Sequence, residues 1–301
     1  MRFRTEIEPL PGFRGAITHD SRIWTIGSCF ADNIGDRLLA DGFDVEVNPL
    51  GTLYNPLSIL RSLRKVVSGK DYTPGDFFEH EGKWRNYDFH SMFARRSAEE
   101  SAEFINATLA RLRAALPTLT TLILTFGSAR CFVLKSTGRV VANCHKQHPD
   151  LFLTKDISLE ECTAAIHGSI EAIRPFAPCL RNIILTVSPI RHKAYGLHSD
   201  NLSKSTLLLA CDKAICGLAA PSLTPEDALV SVSYFPSYEI MMDDLRDYRF
   251  YAADMVHPTE VAVDYIYDLF TRTFFTDATL RAAADRRRDF RRTLHRPSLT
   301  T

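Results

Sequence analysis

Five short stretches of this chain are apolar almost without interruption and rich in β-branched residues. They are Arg22–Ile26, Phe43–Val47, Thr121–Phe126, Asn182–Val187 and Leu229–Tyr234. Strict alternation of apolar and polar positions would mark strands with one wet face; continuous runs suit strands covered on both faces. Between them the period changes to that of a helix. A helix beginning near Phe30 carries Phe30, Ile34 and Leu38 on one side. Ala98–Leu116 stops at Pro117, and Leu159–Arg174 stops at Pro175. Lys204–Leu218 sets leucines and alanines at helical spacing, and Thr259–Phe275 aligns Val263, Ile266, Phe270 and Phe274. Strands alternating with helices predict an α/β fold. Its core is a doubly wound, five-stranded parallel sheet with right-handed crossovers and helices on both faces.

Two stretches break the rhythm. Residues 70–95 are aromatic and turn-rich, with Glu81-Gly82-Lys83 as a hairpin tip, and residues 130–142 form a second hairpin around Ser136-Thr137-Gly138-Arg139. Both read as insertions beside the sheet, which leaves residues 1–276 as one domain. Residues 277–301 make a basic tail containing Arg281, Arg286, Arg287, Arg288, Arg291, Arg292 and Arg296. Such a run is a solvated helix or a frayed end, with phosphate binding or a subunit contact as the alternatives.

Composition narrows the partners. Lys plus Arg equals Asp plus Glu at 36 each, so no global field draws the chain to nucleic acid or to an anionic membrane. A small-molecule substrate is the expected partner. Met1–Glu8 lacks the apolar run of a secretory signal, and no stretch reaches the length of a membrane span. The 7 cysteines are scattered, without a CxxC pair or a disulfide framework, as expected of reduced thiols in a cytoplasm.

Ligands of an open parallel sheet bind beyond the carboxyl ends of its strands. Gly27-Ser28-Cys29-Phe30-Ala31 follows the first strand, and Asn48–Pro56 the second. Gly127-Ser128-Ala129-Arg130 and, past the hairpin, Asn143-Cys144-His145-Lys146 follow the third. Ser188-Pro189-Ile190-Arg191-His192 follows the fourth; Phe235–Glu239 and then Asp254-Met255-Val256-His257-Pro258 follow the fifth. Polar and reactive residue types therefore gather at one rim. Ser28 stands where free N–H groups of a helix start would stabilise an oxyanion, though serine there can equally be only the N-cap. Asp254 and His257 lie three apart, before a helix that Pro258 can open. A short turn would set the carboxylate on Nδ1 and leave Nε2 to take a serine proton. Ser28, Asp254 and His257 are thus the expected catalytic triad.

These same residues carry a resemblance. Gly27-Ser28-Cys29-Phe30-Ala31 resembles the namesake motif of the GSCFA-domain family, which is similar to the SGNH hydrolase superfamily. The likeness runs from about Thr25 to about Phe270 through the segments just quoted, to which Asp247–Pro258 belongs. It implies a flavodoxin-like three-layer sandwich and a cofactor-free serine hydrolase. In the superfamily pattern Ser28 takes the serine of block one, although the usual Gly-Asp-Ser stands here as Gly27-Ser28-Cys29. Gly51 takes the glycine whose N–H joins that of Ser28 in the oxyanion hole, and Asn143 substitutes for the asparagine. The implied activity is that of an esterase or deacetylase working through an acyl-enzyme on acyl esters, acylated carbohydrate among them. An acyltransferase with the same triad and a non-catalytic binding member of the fold are the alternatives.

Other residues at the rim have weaker readings. Cys29, adjacent to Ser28, is expected to be packing, because neighbouring residues at a helix start point in different directions. Cys144, His145 and His148 lack a second pair to complete a zinc site, so no metal is expected. Tyr54, Asn55, His145, Arg191 and His192 are expected to bind substrate. Arg191 could grip a carboxylate or phosphate, or equally pair with Glu239 or Asp243. Lys204 is open in the same way.

Overall fold

The computed structural model describes residues 5–218 and 230–294. Its elements in chain order begin with β1 (Arg22–Gly27), α1 (Cys29–Ala40), β2 (Asp44–Val47) and α2 (Pro56–Ser68). A hairpin of β3 (Phe78–His80) and β4 (Lys83–Arg85) precedes α3 (Ala98–Ala115). After β5 (Thr121–Phe126) come β6 (Arg130–Leu134), β7 (Arg139–Val141) and β8 (Phe152–Asp156). The remainder is α4 (Leu159–Ile173), β9 (Asn182–Val187), α5 (Leu197–Leu218), β10 (Ser231–Tyr234), the single turn α6 (Ser237–Glu239), α7 (Glu260–Phe274) and α8 (Asp277–Leu294).

The central sheet has the order β10-β9-β5-β1-β2 and is parallel throughout. Counting only its own strands, the order is 2-1-3-4-5, the flavodoxin-like winding. Side chains alternate across it, and both faces are dry. Trp24, Ile26, Leu122, Leu124, Ile183 and Leu185 pack beneath α2, α3, α4 and α5. Ile23, Ile123 and Ile184 pack on the opposite face against α1, α7 and α8. That two-sided burial is why β1, β5 and β9 read as continuous apolar runs, whereas the edge strands β2 and β10 are partly exposed and alternate polar with apolar residues. Leu229, placed in the fifth strand by its sequence, lies outside the described residues, as does Arg296.

Two elements were not foreseen. The helix α2 starts where Asn55 Oδ1 accepts from the Ser58 N–H at 2.9 Å and Pro56 occupies its first turn. Its buried face is Ile59, Leu63 and Val66. The strand β8 is the second: it joins the expected hairpin as an antiparallel third strand, giving a small sheet β7-β6-β8 that stands beside the main one. Pro258 sits ahead of α7 rather than inside it, bridging to Tyr251, and Thr259 is the cap. The arginine-rich segment is helical through α8. Arg287 forks onto the buried Asp41 carboxylate at 2.5 and 2.6 Å, and Tyr267 donates to the same group at 2.8 Å.

Candidate active site

The turn after β1 decides which side chain faces the cleft. Gly27 has φ +145°, and a Cβ there would lie 2.0 Å from the Thr125 carbonyl oxygen. Only glycine lets β1 end so close to β5. Asn48 Oδ1 accepts from the Gly27 N–H at 2.8 Å, while Asn48 Nδ2 donates to Asp32 at 2.7 Å. Asn48, itself at φ +39°, therefore ties the loop after β2 to both β1 and α1. Ser28 comes next, in extended conformation, as the N-cap of α1. Its hydroxyl accepts from the Phe30 N–H at 3.3 Å and is buried, beside Gly127. Cys29 is the first helical residue, half-buried, and its thiol opens into the cleft.

Across the cleft, the segment from Ala252 to His257 closes on itself. The His257 carbonyl accepts from the Ala252 N–H at 2.7 Å, and Met255 takes φ +57°. Asp254 Oδ1 accepts from the N–H groups of Val256 and His257 at 2.8 and 3.0 Å. Its Oδ2 meets His257 Nδ1 at 2.6 Å. A carboxylate can only accept, so Nδ1 carries the proton and Nε2 is left with a free lone pair. The bond from His257 holds the Asp254 carboxyl well below the usual carboxylate range. His257 Nε2 lies 3.9 Å from Cys29 Sγ. Carboxylate, imidazole and thiol stand in series.

The Ser28 hydroxyl is engaged by its own helix and makes no hydrogen bond to His257 within the described residues. The side chain at a cap position turns back toward the N–H groups of its own helix, and the following residue projects outward. Cys29 does pack, in part, against the core around Phe30 and Ile34, as expected, and its thiol also faces His257. Burial, followed by the Asp32 charge, raises the thiol above the ordinary cysteine value, so it rests protonated at neutral pH.

The cleft holds about 430 Å³ and is walled by β6 and β7 residues, by Asn143–Lys146 and by Ile190–His192. Gly51 takes no part in it. Its N–H donates to the Asn48 carbonyl at 2.7 Å, and a Cβ there would strike His90 at 2.4 Å. Other residues with unspent donors line the cleft. Asn55 is 5 % exposed, with Oδ1 spent on the α2 cap, and Nδ2 makes no bond within the described residues. Asn143 likewise spends Oδ1 on the His145 N–H at 2.7 Å and keeps Nδ2 free among the described residues. The Cys29 N–H, at the first position of α1, meets no backbone acceptor.

His145 lines the wall as a structural residue. Nε2 contacts the Asn86 carbonyl at 2.8 Å and Nδ1 the Ser91 hydroxyl at 3.2 Å, which leaves neither ring nitrogen for a ligand. Burial pushes it down to about 4, and burial does the same to His192. His192 meets the Tyr54 ring edge-on at 5.9 Å, and both line the cleft. Arg191 pairs with neither Glu239 nor Asp243; Glu239 accepts from the Tyr234 hydroxyl at 2.8 Å instead. Beneath the floor lies Lys204, 1 % exposed, donating to the Gly127 and Ser188 carbonyls at 2.7 and 2.8 Å. It joins the ends of β5 and β9, and burial brings it down to about 8. Among the described residues no three His, Cys, Asp or Glu side chains are grouped as metal ligands.

The profile of the GSCFA family matches residues 22–270. No curated protein matches the chain. Among solved structures, a carbohydrate esterase family 3 protein from Talaromyces cellulolyticus aligns over 88 % of this chain and 99 % of its own, at 8 % identity and a TM-score of 0.41.

Proposed function

The chain belongs to the GSCFA family, and from that premise we propose that it is a cysteine-dependent acyl hydrolase acting on esters. One observation carries the reading: a thiol, an imidazole and a carboxylate in series, at 3.9 and 2.6 Å, on the wall of a cleft of about 430 Å³.

Cys29 attacks the ester carbonyl while His257 Nε2 takes the thiol proton. The Sγ–C bond forms and the carbonyl electrons move onto oxygen. The Cys29 N–H, Asn55 Nδ2 and Asn143 Nδ2 are the donors that hold this oxyanion. The C–O bond then breaks, and the departing alcohol receives the proton from Nε2. A water gives its proton to Nε2 and attacks the thioester, and collapse returns the thiol and releases the acid. Asp254 keeps the proton on Nδ1 and stabilises the imidazolium formed at each attack. Because the thiol rests protonated, His257 acts as a base during attack instead of holding a ready-made thiolate.

Transfer to an alcohol acceptor would pass through the same thioester. The side chains of His257 and Asp254 are 50 % and 48 % exposed, which gives water direct access to the base and favours hydrolysis. The test is a burst of nitrophenol from 4-nitrophenyl acetate, with the acyl group found by mass spectrometry on the Cys29 peptide and released by hydroxylamine. Acetyl found on Ser28, or on neither residue despite turnover, would refute the assignment.

A further inference from the structure

We propose that the ester this cleft accepts carries an anionic oxyacid group, a carboxylate or phosphate, held by Arg191 and Lys146; the proposal rests on the cleft being the acyl-hydrolase site described above. The observation is a charge imbalance. Arg130, Lys146 and Arg191 all line the cleft, and among the described residues no Asp or Glu does. The chain as a whole is neutral, with 36 basic and 36 acidic residues, so the imbalance is local and not inherited from composition.

The three cations differ in what already satisfies them. Arg130 is engaged, its Nε donating to Asp156 at 2.6 Å and its guanidinium lying over the Tyr195 ring at 4.4 Å. Arg191 and Lys146 make no ion pair within the described residues. Arg191 is nonetheless fixed in place. Its N–H reaches the Val256 carbonyl at 3.3 Å, next to His257, and its guanidinium lies 5.4 Å from the centre of the Tyr251 ring. A ring face holds a guanidinium without spending its donors on a carboxylate, which leaves the planar fork free for a bidentate anion. Of the nearby carboxylates, Asp254 is committed to His257, Asp32 to Asn48 and Asp156 to Arg130, while Asp200 is buried outside the cleft wall, where its charge acts on His192, Lys204 and Tyr251. The wall also carries apolar side chains, Phe132, Val141 and Ile190 among them. The cleft therefore suits a substrate with an uncharged acyl face and an anionic end.

The test reads Cys29 alkylation by iodoacetate, which is anionic, against iodoacetamide, which is neutral and of nearly the same size. Rates are followed on the Cys29 peptide by mass spectrometry, with N-acetylcysteinamide as the reference thiol. At low ionic strength the iodoacetate-to-iodoacetamide ratio should exceed the reference ratio by about 10-fold and fall as salt is added. Arg191→Gln and Lys146→Gln should each bring the ratio toward the reference. A role in packing alone would alter both rates together and leave the ratio in place. His257→Ala should slow both reagents alike, which separates thiol activation from anion preference. Protection of Cys29 by succinate or by inorganic phosphate then identifies the oxyacid.

A wild-type ratio at or below the reference overturns the proposal and leaves the acyl-hydrolase reading standing. Failure of Cys29 to react with either reagent refutes the acyl-hydrolase reading instead. In that case succinate and phosphate are titrated by ligand-observed NMR, and binding lost in Arg191→Gln upholds the anion site while no binding rejects it.

Discussion

Replacing Ser28 and Cys29 one at a time separates two adjacent residues that a motif alone cannot rank. Ser28→Ala removes an N-cap acceptor whose bond to the Phe30 N–H is 3.3 Å long. Such a cap contributes about 1 kcal/mol, and the length of this bond places it in the lower half of the usual range. In a chain of this size that corresponds to a fall in Tm of about 2 °C. The cleft keeps its thiol, its imidazole and its donors, so kcat/KM should stay within about threefold of wild type. Cys29→Ala removes a half-buried side chain packed at the margin of the core, and its Tm should fall only slightly. It also abolishes the acyl-enzyme route, with an expected loss of about four orders of magnitude in kcat/KM. The assay is hydrolysis of 4-nitrophenyl acetate under single-turnover conditions, with thermal unfolding recorded on the same preparations. An inactive but folded Ser28→Ala beside an active Cys29→Ala would refute the geometry-based assignment and restore the serine reading.

Other measurements test the framework around that pair. Gly27→Ala should destabilise the fold by roughly 3 kcal/mol or more, since its Cβ meets the Thr125 carbonyl at 2.0 Å and its φ is +145°; chemical denaturation checks this. Alkylation of Cys29 in a His257→Ala background should keep rising as pH passes the ordinary cysteine value, because burial holds the thiol above it. His192 is lowered to about 4 in the fold against an unfolded value near 6.5, so the unfolded chain takes up the extra proton. Its contribution to stability is complete above pH 6.5 and is lost as pH falls toward 4. Urea midpoints of wild type and His192→Gln should therefore converge or cross over that window. Lys204 is lowered to about 8 against an unfolded value near 10.4. The unfolded state then binds more protons between pH 8 and 10, and stability gains with rising pH there. Lys204→Met should lack that gain, as denaturation at pH 8 and pH 10 would show.

The sheet was legible because burial on both faces leaves a mark that needs no tertiary knowledge: Thr121–Phe126 and Asn182–Val187 are strands along their whole predicted length. The helix α2 is less legible: Asn55-Pro56 is a start signal, but it sits within the polar, turn-forming segment Asn48–Pro56 that follows the second strand. The strand β8 was missed for a different reason. Its pairing partner β6 lies about twenty residues earlier, and its pattern is exposed at Leu153–Asp156, so nothing local marks it as paired.

The site divides along the same line. The contact between Asp254 and His257 is made within four residues, and local spacing sufficed to expect it. The identity of the residue facing His257 depends on the direction in which α1 leaves β1, which Asn48 and the Thr125 carbonyl set from distant parts of the chain. One sequence signal did point there. When Gly27-Ser28-Cys29 is laid on Gly-Asp-Ser in register, the third position falls on Cys29, whereas a match by residue type falls on Ser28. The oxyanion donors follow the same logic. Gly51 fits the pattern by its type, but its N–H is spent on Asn48, whereas Asn55 lines the cleft with its oxygen held by the α2 cap. In both cases the helix terminus determines which atom is free, so the chemistry of this rim is fixed by capping geometry more than by residue identity.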